Sequence, residues 1–186
     1  MFLRPEDNQG YSYSVMQKYI SKISEKSIRS IIIEINNIAI SEGIETVDKI
    51  STDTTNIETN VHYPTNKSLL IPSITRIKTN YTRIPESSSA DGGFCSQENL
   101  EKCKELGLTN IVFTKVTKSL QNIVISPETE RILKKWRGTT EAVISNLKRG
   151  FDLQRVLWDG FEKFCSKVAW SILGYNLRVM VNRMLE

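Results

Sequence analysis

The chain reads as an α/β protein, and three observations predict this class. Stretches with apolar residues at threes and fours alternate with short β-branched runs, the pattern of helices interleaved with strands. One run, Thr109–Thr114 (TNIVFT), is a buried strand set between a capped helix and a polar connector. Acids stand at or near the expected strands, Asp53 and Asp91, and on an expected helix, Glu141. In open sheets, element ends of this kind are where active sites gather.

Residues 1–11 form a polar lead-in. From Ser14 to Ser41, Met16, Ile20, Ile23, Ile28, Ile31, Ile35 and Ile38 predict one amphipathic helix, or two joined near Glu25, ended by Gly43. Residues 48–58, DKISTDTTNIE, predict a strand with Asp53 inside it, followed by a turn at Tyr63-Pro64. Leu69–Lys78 reads as a helix interrupted early by Pro72. Residues 79–90 are polar and read as irregular, at most a short strand ending at Asp91, because Ser87-Ser88-Ser89 is a poor buried strand. Ser96–Leu106 is a helix capped by Ser96, buried along Leu100, Cys103 and Leu106, and closed by Gly107.

Residues 115–135 are charged and irregular, with a helix starting after Pro127. Arg137–Gly150, RGTTEAVISNLKRG, reads as a separate short helix with Thr139 or Thr140 as its cap. On it Glu141 and Lys148, seven apart, lie within ~20° of one another, with Arg137 one turn before Glu141. Asp159–Leu185 is a long helix with Phe164, Cys165 and Val168 inward and a bend at Gly174. The division expected is a helical segment, residues 1–46, followed by one domain, residues 47–186.

Charge is uneven. From Arg131 to the end there are 11 Lys and Arg against 5 Asp and Glu, whereas the first 130 residues carry 14 against 16. A basic C-terminal third favours a polyanionic partner. Cys95, Cys103 and Cys165 form no CxxC pair, and His62 is the one histidine, so a zinc site or a His-based triad has little to draw on. Free thiols suit a reducing compartment, MFLRPEDNQG lacks a signal-peptide pattern, and no apolar run reaches ~18 residues. A cytoplasmic protein without a membrane partner is expected.

Each acid has an ordinary reading as well. Asp53 fits a Thr-rich edge strand, Asp91 a turn, and Glu141 the first turn of a helix. Taken together, two strand aspartates and a helix glutamate are also a donor set for a pair of Mg²⁺ ions ~3.5–4 Å apart.

The segment DTTNIETNVHYPTNKSLL, Asp53–Leu70, resembles the first-aspartate motif of DDE-class insertion-sequence transposases. ADGGFCSQENLEKCKELGLTNIVF resembles their second-aspartate segment and RGTTEAVISNLKRGFDLQRVLWDGFE their glutamate segment, while AWSILGYNLRVM is similar to their terminal helix. Arg137, Glu141 and Lys148 fit the family's Y-x2-R-x3-E-x6-K signature, with Lys134 at the tyrosine position. Gly92 stands where related groups often carry arginine, and Asn66 where the motif has aspartate.

The resemblance implies an RNase H-like fold and metal-dependent DNA strand cleavage and transfer. Asp53, Asp91 and Glu141 would be the catalytic ligands of Mg²⁺ or Mn²⁺, with Arg137, Lys148 and Arg149 on DNA phosphates. Double-stranded DNA, as transposon ends and target, is the implied partner, together with a homodimer or pairing with a full-length transposase. Family members usually carry more than a hundred residues between the two aspartates, against 38 here, and a second phrase, P-S-D-S-x-L-L-x-P-A-I, before the second one. YPTNKSLL running straight into IPSI implies an in-frame deletion that removed two strands. The expectation is therefore an incomplete RNase H-like fold and a degenerate, inactive transposase. The alternatives are a non-catalytic DNA-binding or transposase-interacting module using the basic C-terminal third, or an α/β protein with no DNA role.

Overall fold

Three strands, β1 (Lys49–Thr52), β2 (Ser87–Ala90) and β3 (Asn110–Phe113), form a parallel sheet in the order β1-β2-β3. The computed structural model describes residues 12–55, 57, 69–117, 119–158 and 160–186. Among the described residues, six α-helices accompany the sheet: α1 (Tyr13–Ile20), α2 (Glu25–Ser41), α3 (Leu70–Tyr81), α4 (Gln97–Glu105), α5 (Pro127–Gly150) and α6 (Phe161–Leu185). The chain is thus α/β, with a small parallel sheet. The lead-in at residues 1–11, the Tyr63-Pro64 turn and most of the NVHYPTNKS phrase, including His62 and Asn66, lie outside the described residues.

Register decides which face each strand residue serves. Ile50, Ser88 and Ile111 are level, as are Thr52, Ala90 and Phe113. Side chains alternate across a sheet, so this set shares one face. There Ile50, Ala90, Ile111 and Phe113 join Leu70 and Ile74 of α3 and Leu100 and Cys103 of α4 in the main core. The other face carries Ser51, Ser89 and Val112 and is covered by α5, whose Leu133 is fully buried.

The serine strand corrects the sequence reading of residues 79–90. Ser87–Ala90 is the central strand, and all four residues are buried. Serine has little preference for strands, but it is small and its hydroxyl can be satisfied locally. Ser89 Oγ donates to the Leu133 carbonyl of α5 (3.0 Å), and Asn110 Nδ2 donates to Ser87 Oγ (3.1 Å). The slot between two strands and beneath a helix calls for small side chains, and tertiary context overrides propensity.

The second correction concerns α5. Arg137–Gly150 is not a separate helix but the C-terminal half of a 24-residue one. Its cap is Ser126, whose Oγ accepts from Thr129 N–H (3.1 Å), and Pro127 occupies the first turn, where a missing N–H costs nothing. Thr139 and Thr140 are free for other partners: Thr139 Oγ1 donates to the Trp136 carbonyl (2.6 Å) and Thr140 Oγ1 to Ser51 Oγ on β1 (2.6 Å).

Smaller differences follow the same logic. The amphipathic stretch takes the second of its two expected forms, two helices joined near Glu25, where Ser24 caps α2 by accepting from Ser27 N–H (3.1 Å). Pro72 sits in the first turn of α3 and does not interrupt it. On α6 the buried positions are Ser166, Ala169, Ser171 and Leu173 in place of the expected Phe164, Cys165 and Val168. Ala169 and Leu173 pack against Ile28 of α2, while Ser166 donates to the Ile23 carbonyl and Ser171 to the Phe151 carbonyl. The helix runs unbroken through Gly174, where a Cβ would stand 3.0 Å from the Phe151 ring. Helix α4, with Ser96 as cap and Gly107 after it, matches the sequence reading.

The two sheet edges differ. Along β3, Asn122 imitates a further strand: its Oδ1 accepts from Phe113 N–H (2.8 Å) and its Nδ2 donates to the Phe113 carbonyl (3.2 Å). Ile111 and Ile123 add a two-way backbone bridge (2.7 and 3.0 Å). Strand β1 has no strand partner on its outer side among the described residues. No described helix is long and apolar enough to cross a membrane.

All three cysteines are free. Burial pushes the Cys103 thiol up to about 11, and Cys95 is buried beside it in the same core. Ellman's reagent at pH 8 is expected to modify Cys165 alone in the folded protein and all three thiols in guanidinium. Rapid native modification of Cys103 would contradict the core packing.

Candidate active site

Parallel pairing places the C-terminal ends of β1 and β2 side by side, with Thr52 level with Ala90. Asp53 and Asp91 are the next residues, so Asp53 lies just past its strand, not inside it as the sequence suggested. The same strand-end position after β3 is Thr114. Helix α5 crosses this end of the sheet. Leu133 anchors it over Ser89, and Arg137 and Glu141 follow at successive turns on the same face.

The structure brings all three predicted acids together, and the group they meet around is Arg137. Its Nη2 donates to Asp53 Oδ2 (2.6 Å) and stands 3.9 Å from Asp91 Oδ1, while its Nη1 donates to Glu141 Oε1 (2.7 Å). The Arg137 and Asp53 side chains are largely buried, at 14% and 11% exposed, whereas Asp91 is half-buried and Glu141 exposed. Arg137 Nε is buried without a partner, so the guanidinium leaves one donor unused in this seat. Asp53 Oδ1 accepts from Thr54 N–H (2.8 Å), which fixes its orientation.

Asp91 is held by its neighbours. Thr114 Oγ1 donates to its Oδ1 (2.9 Å), and this bond, with the Gly92 N–H and the positive charges of Arg137 and Lys115, holds its carboxyl below the ordinary 3.8 despite some burial. Gly92 makes this corner possible, because a Cβ there would stand 2.8 Å from Lys115 Cβ and 3.2 Å from its carbonyl oxygen. A side chain at this position would have to displace that neighbour.

The depressed value has a definite sign. The folded state favours ionised Asp91, so the stabilisation is present above the unfolded value and is lost as pH falls through the lowered folded value, below about pH 4. Thr114→Val is expected to move the Asp91 midpoint upward in a carbon-detected NMR titration. An unchanged midpoint would remove Thr114 from the site.

A cavity of about 580 Å³ opens beside this cluster, lined by Asp53, Glu141, Ile144, Lys148, Arg149 and Gln154 among others. Lys148 and Arg149, the predicted phosphate contacts, thus share a cavity with two of the acids, and neither forms an ion pair among the described residues. Lys134, at the signature's tyrosine position, is turned away and pairs with Glu130 (2.7 Å). Thr114 and Gln154 were not found from the sequence. The position directly after the third strand, equivalent to Asp53 and Asp91, was the available signal for Thr114.

The donor set suits Mg²⁺ or Mn²⁺ in kind, because its ligands are hard carboxylate oxygens. The positive group that these acids face in this structure is the Arg137 guanidinium, bonded to Asp53 and Glu141 and 3.9 Å from Asp91. In this arrangement the carboxylates close on the guanidinium and not on one another. Among the described residues, no three acidic, histidine or cysteine side chains are spaced to hold a metal ion as they stand.

No protein-family model, no curated protein and no solved structure matches this chain.

Proposed function

We propose that this chain is a shortened, inactive derivative of a DDE-class transposase, an RNase H-like domain whose ancestral chemistry is metal-dependent cleavage and transfer of DNA strands. The observation that carries the reading is the meeting of Asp53, Asp91 and Glu141, from two adjacent parallel strands and one crossing helix, around a single cationic group. Their order and origins follow the resemblance of the three segments that contain them.

In this reading Asp53, Asp91 and Glu141 are the residues that would have held Mg²⁺ or Mn²⁺ in the ancestral enzyme, where the metal would supply activation of the attacking oxygen and stabilisation of the leaving one. Thr114 orients Asp91, Thr54 N–H orients Asp53, and Lys148 and Arg149 bind the DNA backbone at the cavity. Phosphate contacts of this type position DNA without reading its sequence and weaken steeply with salt. Inactivity follows from the short interval between Asp53 and Asp91, since catalysis tolerates little misplacement of its groups.

A nicking assay on supercoiled and linear duplex DNA tests this reading. The expected result is salt-sensitive binding without Mg²⁺- or Mn²⁺-dependent nicking above an Asp53→Asn control. Nicking abolished by Asp53→Asn or Asp91→Asn would show a working enzyme. Absence of DNA binding at low salt would overturn the assignment altogether.

A second reading, a DNA-binding module without chemistry, is favoured by Lys148 and Arg149, which form no ion pair among the described residues. It expects Lys148→Ala and Arg149→Ala to weaken DNA binding, and Asp53→Asn, Asp91→Asn and Glu141→Gln to leave it unchanged.

A further inference from the structure

We propose that the cavity enclosed by α2, α3, α5 and α6 binds a small hydroxylated aromatic carboxylate. The flat apolar body would be held between the helices, the hydroxyl at a polar node and the carboxylate at a cationic rim. This cavity shares no lining residue with the one beside Glu141, so the inference stands apart from the acid cluster.

Three observations carry it. Packing leaves an apolar space open: the four helices surround about 650 Å³, and Ile35, Ile77, Val143 and Met180 line it, one from each helix. All four are only half-buried. Interiors ordinarily close on such side chains and leave few voids larger than a water molecule. The volume is that of a site for a small organic ligand, and Trp136 and Tyr175 on the wall favour an aromatic body.

The wall also carries a polar node whose hydrogen bonding is incomplete. Asn176 Nδ2 donates to Asn36 Oδ1 (3.1 Å), and Asn36 Nδ2 donates to the Tyr81 hydroxyl oxygen (2.7 Å). All three residues line the cavity. This leaves the Tyr81 O–H as a donor and Asn176 Oδ1 as an acceptor with no partner among the described residues. A hydroxyl answers both, accepting from the first and donating to the second.

Charge decides the other end of the ligand. Lys49 and Arg183 are exposed lining residues, and neither forms an ion pair among the described residues. Glu45 is the one acid on the lining. Two free cations against one acid favour an anion, and a guanidinium matches the two oxygens of a carboxylate.

Isothermal titration calorimetry of the full chain at low salt tests the site with 6-hydroxy-2-naphthoate, with 2-naphthoate, which lacks the hydroxyl, and with 2-naphthol, which lacks the charge. The first is expected to bind one to one and each of the others about five- to tenfold more weakly, the step expected for one lost polar contact. Exchanging both rim cations, Lys49→Gln with Arg183→Gln, is expected to weaken 6-hydroxy-2-naphthoate about tenfold and to leave 2-naphthol unchanged. Val143→Trp fills the space and is expected to abolish binding of all three. Should that variant fail to fold, the exposed charge variant still decides. No saturable binding of any probe, or indifference of 6-hydroxy-2-naphthoate to the charge variant, would overturn the site. An equal loss on Lys148→Gln would overturn it as well, by placing the ligand in the neighbouring cavity. So would a dimer in analytical ultracentrifugation that Val143→Trp dissociates, since the space would then belong to a second copy.

Discussion

Replacing Arg137 with glutamine lowers the melting temperature by roughly 6–12 °C, the fall expected for a loss of about 3 kcal/mol in a chain of this size. The cost does not lie in the exposed Glu141, which water resolvates easily. It lies in Asp53, whose side chain is 11% exposed and whose Oδ2 then has no cation beside it. Differential scanning calorimetry measures the effect. An instructive comparison is Arg131→Gln, which breaks an exposed pair with Glu128 one helical turn away and is expected to leave the melting temperature unchanged. Equal effects from the two substitutions would mean that Arg137 is a surface residue and that the acids are not gathered around it.

The second large effect concerns the strand that holds the site in register. Ser89→Leu is expected to cost about 3 kcal/mol, the upper end for overpacking a filled interior. Ser89 is fully buried, and its hydroxyl sits 3.0 Å from the Leu133 carbonyl, so the three carbons that replace the hydroxyl can be accommodated only by lifting α5 from the sheet. Ser89→Ala, which removes the bond but adds no volume, is expected to cost about 1 kcal/mol. The ratio matters more than either value. If serine is chosen for its size, leucine must be far worse than alanine. Because the same helix carries Arg137 and Glu141 one and two turns beyond Leu133, Ser89→Leu also weakens the grip of Arg137 on Asp53. Urea unfolding of the two variants provides the comparison.

Legibility in the sequence followed how local each cause is. Helix α4 was readable because its determinants lie within the segment: a serine cap, buried Leu100 and Cys103, and a glycine stop. Strand β3 was readable from Ile111, Val112 and Phe113. Strand β2 was not, because its serines have no intrinsic preference for strands and are selected by what lies on either side of them. The start of α5 near Pro127 was readable, but the helix was divided in two because Thr139 and Thr140 are good caps in isolation. Only the structure gives their hydroxyls other partners, Trp136 and Ser51.

The site was legible in a similar, partial way. The spacing of Arg137 and Glu141 made their pairing readable as neighbours one turn apart. That Asp53, 84 residues away, would share the same guanidinium depends on the parallel register of β1 and β2 and on the path of α5, neither of which is local. Arg137, expected on DNA phosphate, is instead seated among the acids.

The central claim is that Asp53 and Asp91, which follow β1 and β2, and Glu141 of α5 gather around one cationic group, Arg137. A double-mutant cycle of Asp53→Asn and Arg137→Gln, read by equilibrium unfolding, tests it most directly. The predicted result is a coupling of about 2 kcal/mol or more, with the double variant little less stable than either single one. Losses that simply add, within about 0.5 kcal/mol, would contradict it, because independent residues cannot share one site.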